Sequence, residues 1–210
     1  MSPYSLEWLM LYPQEFSNMR DALNRWVTLT DHQWDTLASI FHVQHVAARS
    51  MVLQPGDDTH DLFFVHKGLL RFFYPADNGQ EANKAFIAEG EFAGALAASA
   101  LNLPVIYGIE ALEDTTLLVT PVARFTDLFD EHPVFDRLGR KLTELLLVRK
   151  EKRTRSFMQQ SAGERYLEFI TEHPDLAARV PQYHIASYLG ITEVSLSRLK
   201  KGVLEQASST

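Results

Sequence analysis

The chain of 210 residues contains no cysteine. Disulfides, thiol catalysis, cysteine-ligated iron–sulfur clusters and zinc fingers are therefore excluded. No run of about 18 apolar residues is present, so no membrane-spanning helix is expected. The opening "MSPYSLEWLMLYPQEF" lacks the basic start and apolar stretch of a secretory signal, and a cytoplasmic protein with no membrane partner is expected. Basic residues are scarce at the front. Residues 1–135 hold 7 Lys/Arg against 18 Asp/Glu, a balance of −11. Residues 136–165 reverse this with 9 against 4, a balance of +5, and residues 166–210 hold 4 against 5, a balance of −1. A total of −7 argues against nucleic-acid binding by the surface as a whole, but the uneven distribution assigns different work to different segments.

Apolar residues make up 46% of the chain, enough for one large or two small cores. Residues 14–27 and 31–41 read as helices, the second capped by Thr30 and Asp31 ahead of Trp34, Leu37 and Phe41. A β-rich stretch follows. "MVLQPGDD" ends in a turn signal, and "LFFVHKGLLRFFYPADNGQ" reads as strand, glycine turn, strand and Asp-Asn-Gly hairpin turn. "NKAFIAEGEFAG" and "VIYGIEALEDTTLLVTP" add further strands, which together suggest a jelly roll or barrel. From Pro121 the period becomes helical: a short helix, then a long one over "VFDRLGRKLTELLLVRKEKRTRSFMQQ". Phe135, Leu138, Leu142 and Leu145 follow steps of three and four, which fits a dimer seam or a helix lying on its own barrel. "SAGERYLEFITEHPDLAARVPQ" holds two shorter helices. Ser161 and Glu164 form a capping box, and His173-Pro174 ends the first of them.

The stretch "VPQYHIASYLGITEVSLSRLKK", residues 180–201, has the pattern of a helix-turn-helix. Gly190 supplies the turn and Thr192 caps the second helix. Ile185, Leu189, Ile191, Leu196 and Leu199 fall where the helices touch, and Ala186 where they cross closely. The other face of the second helix carries Glu193, Ser195, Ser197, Arg198 and Lys200. Such a helix reads base edges with its exposed residues, while hydroxyls and helix N-termini hold phosphates. Arg198 is the candidate base reader, and Gln182, Thr192 and Ser195 the candidate phosphate contacts.

These motifs resemble the Crp/Fnr superfamily of bacterial transcription regulators through nearly the whole chain. "GDDTHDLFFVHKGLLRFFYPADNGQE" is similar to its cyclic-nucleotide-binding β-roll, "EGEFAGAL" to the start of its phosphate-binding cassette, and residues 134–157 to its dimerisation helix. The resemblance implies an α+β chain with three parts. These are a β-roll sensor (jelly roll) at 1–132, a dimerisation helix at 133–158 and an all-α helix-turn-helix domain at 159–210. It also implies a homodimer on double-stranded DNA, switched by a ligand in the β-roll, and no enzyme. The effector pocket would be formed by Phe92, Gly94, Ala95, Leu96, Val105 and Ile106.

Three departures modify this picture. The family's cassette has a Glu after its Gly for ribose, and an Arg followed by Ser or Thr for the cyclic phosphate. Here Ala95 follows Gly94, and Val105 and Ile106 stand in the other two places. No Lys or Arg lies between Lys84 and Arg124, so an anion buried there would lack its partner. An apolar effector, or an empty and packed pocket, is expected instead. The family's iron–sulfur sensors are excluded with the cysteines. Val194 stands where the family has a cytosine-reading Glu, with Glu193 beside it, while Arg198 keeps the guanine-reading Arg. The residues after the second helix are expected to leave no room for the family's β-hairpin wing. The alternative is a sensor or interaction module with a degenerate DNA-binding domain. Its ligand could be haem, with His42, His45, His60 or His66 as axial ligands. A cupin-like metal enzyme is disfavoured because His60 and His66 form no His-x-His pair. No metal site is expected, and no cofactor is specified.

Overall fold

Leu62, Phe63, Phe64 and Val65 are consecutive and all buried, so both faces of their strand are covered. The computed structural model that shows this describes residues 6–76 and 78–207, with side chains as far as Gly202. The helices are α1 (Glu7–Leu11), α2 (Pro13–Asn24), α3 (Asp31–Ser39), α4 (Leu96–Leu101), α5 (Val122–Asp127), α6 (Pro133–Gln159), α7 (Ala162–Glu172), α8 (Pro174–Arg179), α9 (Gln182–Leu189) and α10 (Glu193–Ala207). The strands are β1 (His42–Val46), β2 (Met51–Leu53), β3 (Asp61–Lys67), β4 (Leu70–Pro75), β5 (Glu81–Ile87), β6 (Phe92–Gly94), β7 (Gly108–Ala111) and β8 (Thr115–Pro121). None of the described helices is long and apolar enough to cross a membrane. The chain forms two compact units, Met1–Phe72 with Phe86–Leu146, and Phe73–Ala85 with Leu147–Thr210.

The strands make an antiparallel β-roll of two four-stranded sheets, ordered β1-β8-β3-β6 and β2-β7-β4-β5. Alternation along β3 divides its side chains. Leu62 and Phe64 join a core formed with Phe16 and Met19 of α2, Trp34 and Leu37 of α3, and Phe125 of α5, while Phe63 and Val65 lie on the opposite face. The Thr30 cap of α3 is a full capping box with Gln33. Gly68, between β3 and β4, has φ +104°, and a Cβ there would meet Thr115 Cα at 2.8 Å. Helices α1 and α4 carry too short a pattern to be read from sequence.

The same core corrects the dimer seam. Phe135, Leu138 and Leu142 of α6 are buried in it, against side chains of this chain, and only Leu145 of the four is exposed. A step of three and four marks an apolar helix face without saying what covers it. Each such burial stabilises the unit by about 1.5–3 kcal/mol, so these side chains are not available to a second copy. Beyond them, α6 exposes Leu145, Leu147 and Val148.

The second unit begins with the outer ends of β4 and β5. Their turn is closed by Ala76 N–H to Gln80 O at 2.8 Å and Gly79 N–H to Ala76 O at 2.9 Å, with Gly79 at φ +77°. Asp77, which the sequence places in that turn, lies outside the described residues. The Ser161–Glu164 capping box starts α7, and His173 ends it. Helix α10 continues to Ala207, beyond the end at Lys201 read from the sequence.

Leu142→Asp should therefore act on folding rather than on assembly. A carboxylate placed in the apolar core that also holds Phe135 and Leu138 has no partner there, which costs on the order of 3 kcal/mol or more. Urea denaturation should show that loss at any protein concentration. A loss that vanished on dilution of both proteins would place Leu142 in an intermolecular contact.

Candidate nucleic-acid interface

Helix α9 ends because Gly190 turns left-handed, at φ +69°. Ile191 N–H then donates to Ala186 O (3.0 Å) and Gly190 N–H to Ser187 O (3.1 Å), the two bonds of a Schellman motif. The next residue but one starts α10. Thr192 Oγ1 accepts from Ser195 N–H at 3.2 Å and lies 3.0 Å from Ser195 Oγ. Ile185, Ala186 and Leu189 of α9 and Leu196 of α10 are buried, and Ile191 and Leu199 are partly buried. The residues expected to hold the two helices together do so.

Packing through Leu196 turns the opposite side of α10 outward. Val194, Ser197, Arg198 and Lys201 are all exposed and fall at i, i+3, i+4 and i+7, a single stripe. Glu193 is exposed beside them, in the first turn. Gln182, at the start of α9, accepts from Lys200 Nζ at 3.1 Å, so it meets the middle of α10. Of the six candidate DNA-contacting residues, Ser197, Arg198 and Glu193 are exposed on α10. Thr192 and Ser195 cluster at its N-terminus, and Gln182 joins from α9.

Sequence reasoning missed what holds the turn. Arg153 of α6 donates through Nη2 to Tyr188 O (2.7 Å) and Asn83 O (3.1 Å), and its guanidinium lies 3.8 Å from the Tyr188 ring centre. Burial lowers its pKa from the ordinary value, and Tyr188 pulls the other way. Arg165 of α7 donates to Leu189 O through Nε (3.2 Å) and Nη2 (2.9 Å). Both guanidiniums lie 4.7 Å from the Phe157 ring centre. A Cβ on Gly190 would meet Phe157 Cε1 at 2.8 Å, a second reason for glycine there.

The edge of β5 was equally unforeseen. β5 is the last strand of its sheet. The edge-facing groups of residues 81 and 83 bond to the helix-turn-helix instead of to another strand. Ser187 Oγ donates to Glu81 O (2.8 Å) and accepts from Asn83 N–H (3.0 Å), and Asn83 Nδ2 donates to His184 O (3.0 Å). Side chains thus cover an edge that would otherwise invite strand addition.

The cassette residues differ in their surroundings. Phe92 packs on Phe64 (ring centres 5.0 Å apart) and Trp26 (5.9 Å), inside the core, and Leu96 packs against that core. Gly94 lies against β3, where a Cβ would meet Asp61 O at 2.7 Å. Ala95 and Val105 are buried, whereas Ile106 is 69% exposed. Of the residues expected around the effector, Phe92 and Leu96 pack with the core and Ile106 faces solvent. Arg71 of β4 is buried and ion-paired with Glu110 of β7. Among the candidate haem ligands, His45 Nδ1 is 3.2 Å from Thr116 Oγ1, His60 Nε2 2.9 Å from Leu103 O and His66 Nδ1 3.1 Å from Asn18 Nδ2. Burial lowers the His42 pKa, and nearby Asp61 partly offsets this. No group of three or more His, Asp or Glu among the described residues is placed to hold a metal ion.

Ser187→Ala removes two hydrogen bonds from the β5 edge. At about 0.5–1.5 kcal/mol each, the loss should be about 1–3 kcal/mol, felt locally. Hydrogen exchange of the Asn83 amide should speed up by one to two orders of magnitude. An unchanged amide would show that this edge is held by something other than Ser187.

Residues 43–132 match the family of cyclic nucleotide-binding domains. The regulatory protein HlyX of Actinobacillus pleuropneumoniae is 22% identical over 184 residues, covering 82% of this chain and 76% of that protein. The fold is shared with FixK2 of Bradyrhizobium japonicum, at TM-score 0.69 and 17% identity, over 80% of this chain and 86% of that one. It is shared also with a Crp/Fnr-family protein from Eubacterium rectale, at TM-score 0.68 and 19% identity, over 90% and 88% of the two chains. The β-roll, the long helix and the helix-turn-helix, in this order and along most of the chain, are the fold that this protein shares with FixK2 and the Crp/Fnr-family protein.

Proposed function

We propose that the chain is a sequence-specific, DNA-binding transcription regulator that works as a homodimer. The observation that carries this is the exposed stripe of α10. Ser197, Arg198 and Lys201 project from a helix whose other side is fixed by buried Leu196. A helix held in this way can enter the major groove and present an arginine to the two acceptors of guanine. Thr192, Ser195 and Gln182, near the N-termini of α10 and α9, suit phosphate oxygens, which fix register without reading sequence. The similarity to the regulatory protein HlyX supports a regulatory role. Leu145, Leu147 and Val148, exposed on α6, are the residues proposed for pairing two copies. Ala95 and Val105, buried and apolar at two cassette positions, support a β-roll that does not hold a cyclic phosphate.

Binding to DNA fragments selected from a genomic pool tests the reading. Arg198→Ala should weaken the selected duplex by about 1–3 kcal/mol and random duplex much less. Thr192→Ala should weaken both about equally. Sedimentation of the complex should give two chains per site. Equal losses on both duplexes for Arg198→Ala would remove Arg198 from base reading.

A further inference from the structure

Val194 is 62% exposed although its side chain is wholly apolar, and it heads the same stripe as Ser197 and Arg198. The other apolar residues of this helix turn inward: Leu196 is buried and Leu199 partly so. Val194 is thus the one apolar group offered by the described outward face of α10. It is one turn nearer the helix N-terminus than Arg198. Its β-branched side chain is short and stiff, so it contacts only what the helix backbone brings within reach.

We propose that Val194 is a specificity-determining residue that selects thymine through the 5-methyl group of that base. This assignment rests on the DNA-reading function proposed above and names part of the sequence read. In the major groove, the edges of guanine, cytosine and adenine carry hydrogen-bonding groups, and only thymine adds an apolar one. An isopropyl group pressed on a donor or acceptor removes water from it and returns no hydrogen bond, which disfavours those bases. On a methyl group the same contact buries apolar surface on both sides. Four residues of helix rise about 6 Å, and stacked base pairs are about 3.4 Å apart. Val194 therefore meets a base pair one or two steps from the one met by Arg198. Glu193 lies about 100° around the helix from Val194 and one turn before Ser197, so its carboxylate flanks this contact, while Val194 itself is left 62% exposed.

Replacing thymine by uracil deletes the methyl group and nothing else, so it isolates the contact. The full-length protein is first used to select its preferred duplex from a random library. Thymines within two base pairs of the guanine whose effect depends on Arg198 are then replaced by uracil one at a time, and binding is followed by fluorescence anisotropy. One replacement should weaken binding about fourfold, the value of one buried methyl group. The same replacement should leave Val194→Ala unaffected, and alanine at this exposed helical position keeps the fold. The assignment is overturned if no such replacement weakens wild-type binding, or if the loss persists in Val194→Ala. In either case Arg198→Ala still reports whether the helix reads DNA. A library that yields no preferred duplex overturns the DNA-reading function, and this assignment with it.

Discussion

The end of α9 hangs on two guanidinium groups. The last carbonyls of any helix lack partners within it, and the helix dipole makes that end negative. Here Arg153 takes Tyr188 O and Arg165 takes Leu189 O, with Phe157 in contact with both cations. The next residue, Gly190, turns the chain, and Phe157 leaves no room for a Cβ on it. The direction in which α10 leaves the turn is therefore set by residues of α6 and α7, far away in sequence. Arg153 also bonds to Asn83 O, so the end of β5 and the end of α9 share one cation. With these contacts made and Leu196 buried, the stripe of Val194, Ser197, Arg198 and Lys201 is left for a partner.

Charge would have argued against a polyanion as that partner. The whole chain is at −7, and the deficit lies in residues 1–135. What matters to a phosphate is the charge within a Debye length, about 8 Å at 0.15 M salt. In sequence α10 carries Arg198, Lys200 and Lys201 against Glu193 and Glu205, and the run Arg149 to Arg155 of α6, with five Lys/Arg against Glu151, meets the helix-turn-helix where Arg153 bonds Tyr188 O. If α10 binds DNA as proposed, affinity should fall steeply with salt, and an acidic total does not oppose it.

Local signals were legible and long-range ones were not. The Thr30 cap, the Ser161–Glu164 capping box and the Gly190–Thr192 turn depend on neighbours a few residues apart, and all three form, with Gln33 completing a box at Thr30 beyond the cap read from the sequence. The apolar face of α6 was also legible, but its partner was not. Phe135, Leu138 and Leu142 have the same spacing whether they meet a second copy or the chain's own core, and they meet the core. Ile106 misled because a family position was carried over to a residue that the loop leaves in solvent. Asn83, Ser187 and Arg153 gave no signal at all. A serine that closes a strand edge about a hundred residues away looks like any other serine in a helix.

The central claim is that α10 lies in the major groove. Dimethyl sulfate methylates guanine at N7, in the major groove, and adenine at N3, in the minor groove. Bound to its selected duplex, the protein should protect guanine N7 at the base read by Arg198 and leave adenine N3 beside it reactive. Protection of adenine N3 alone, or of neither atom in a fully bound duplex, would contradict the account.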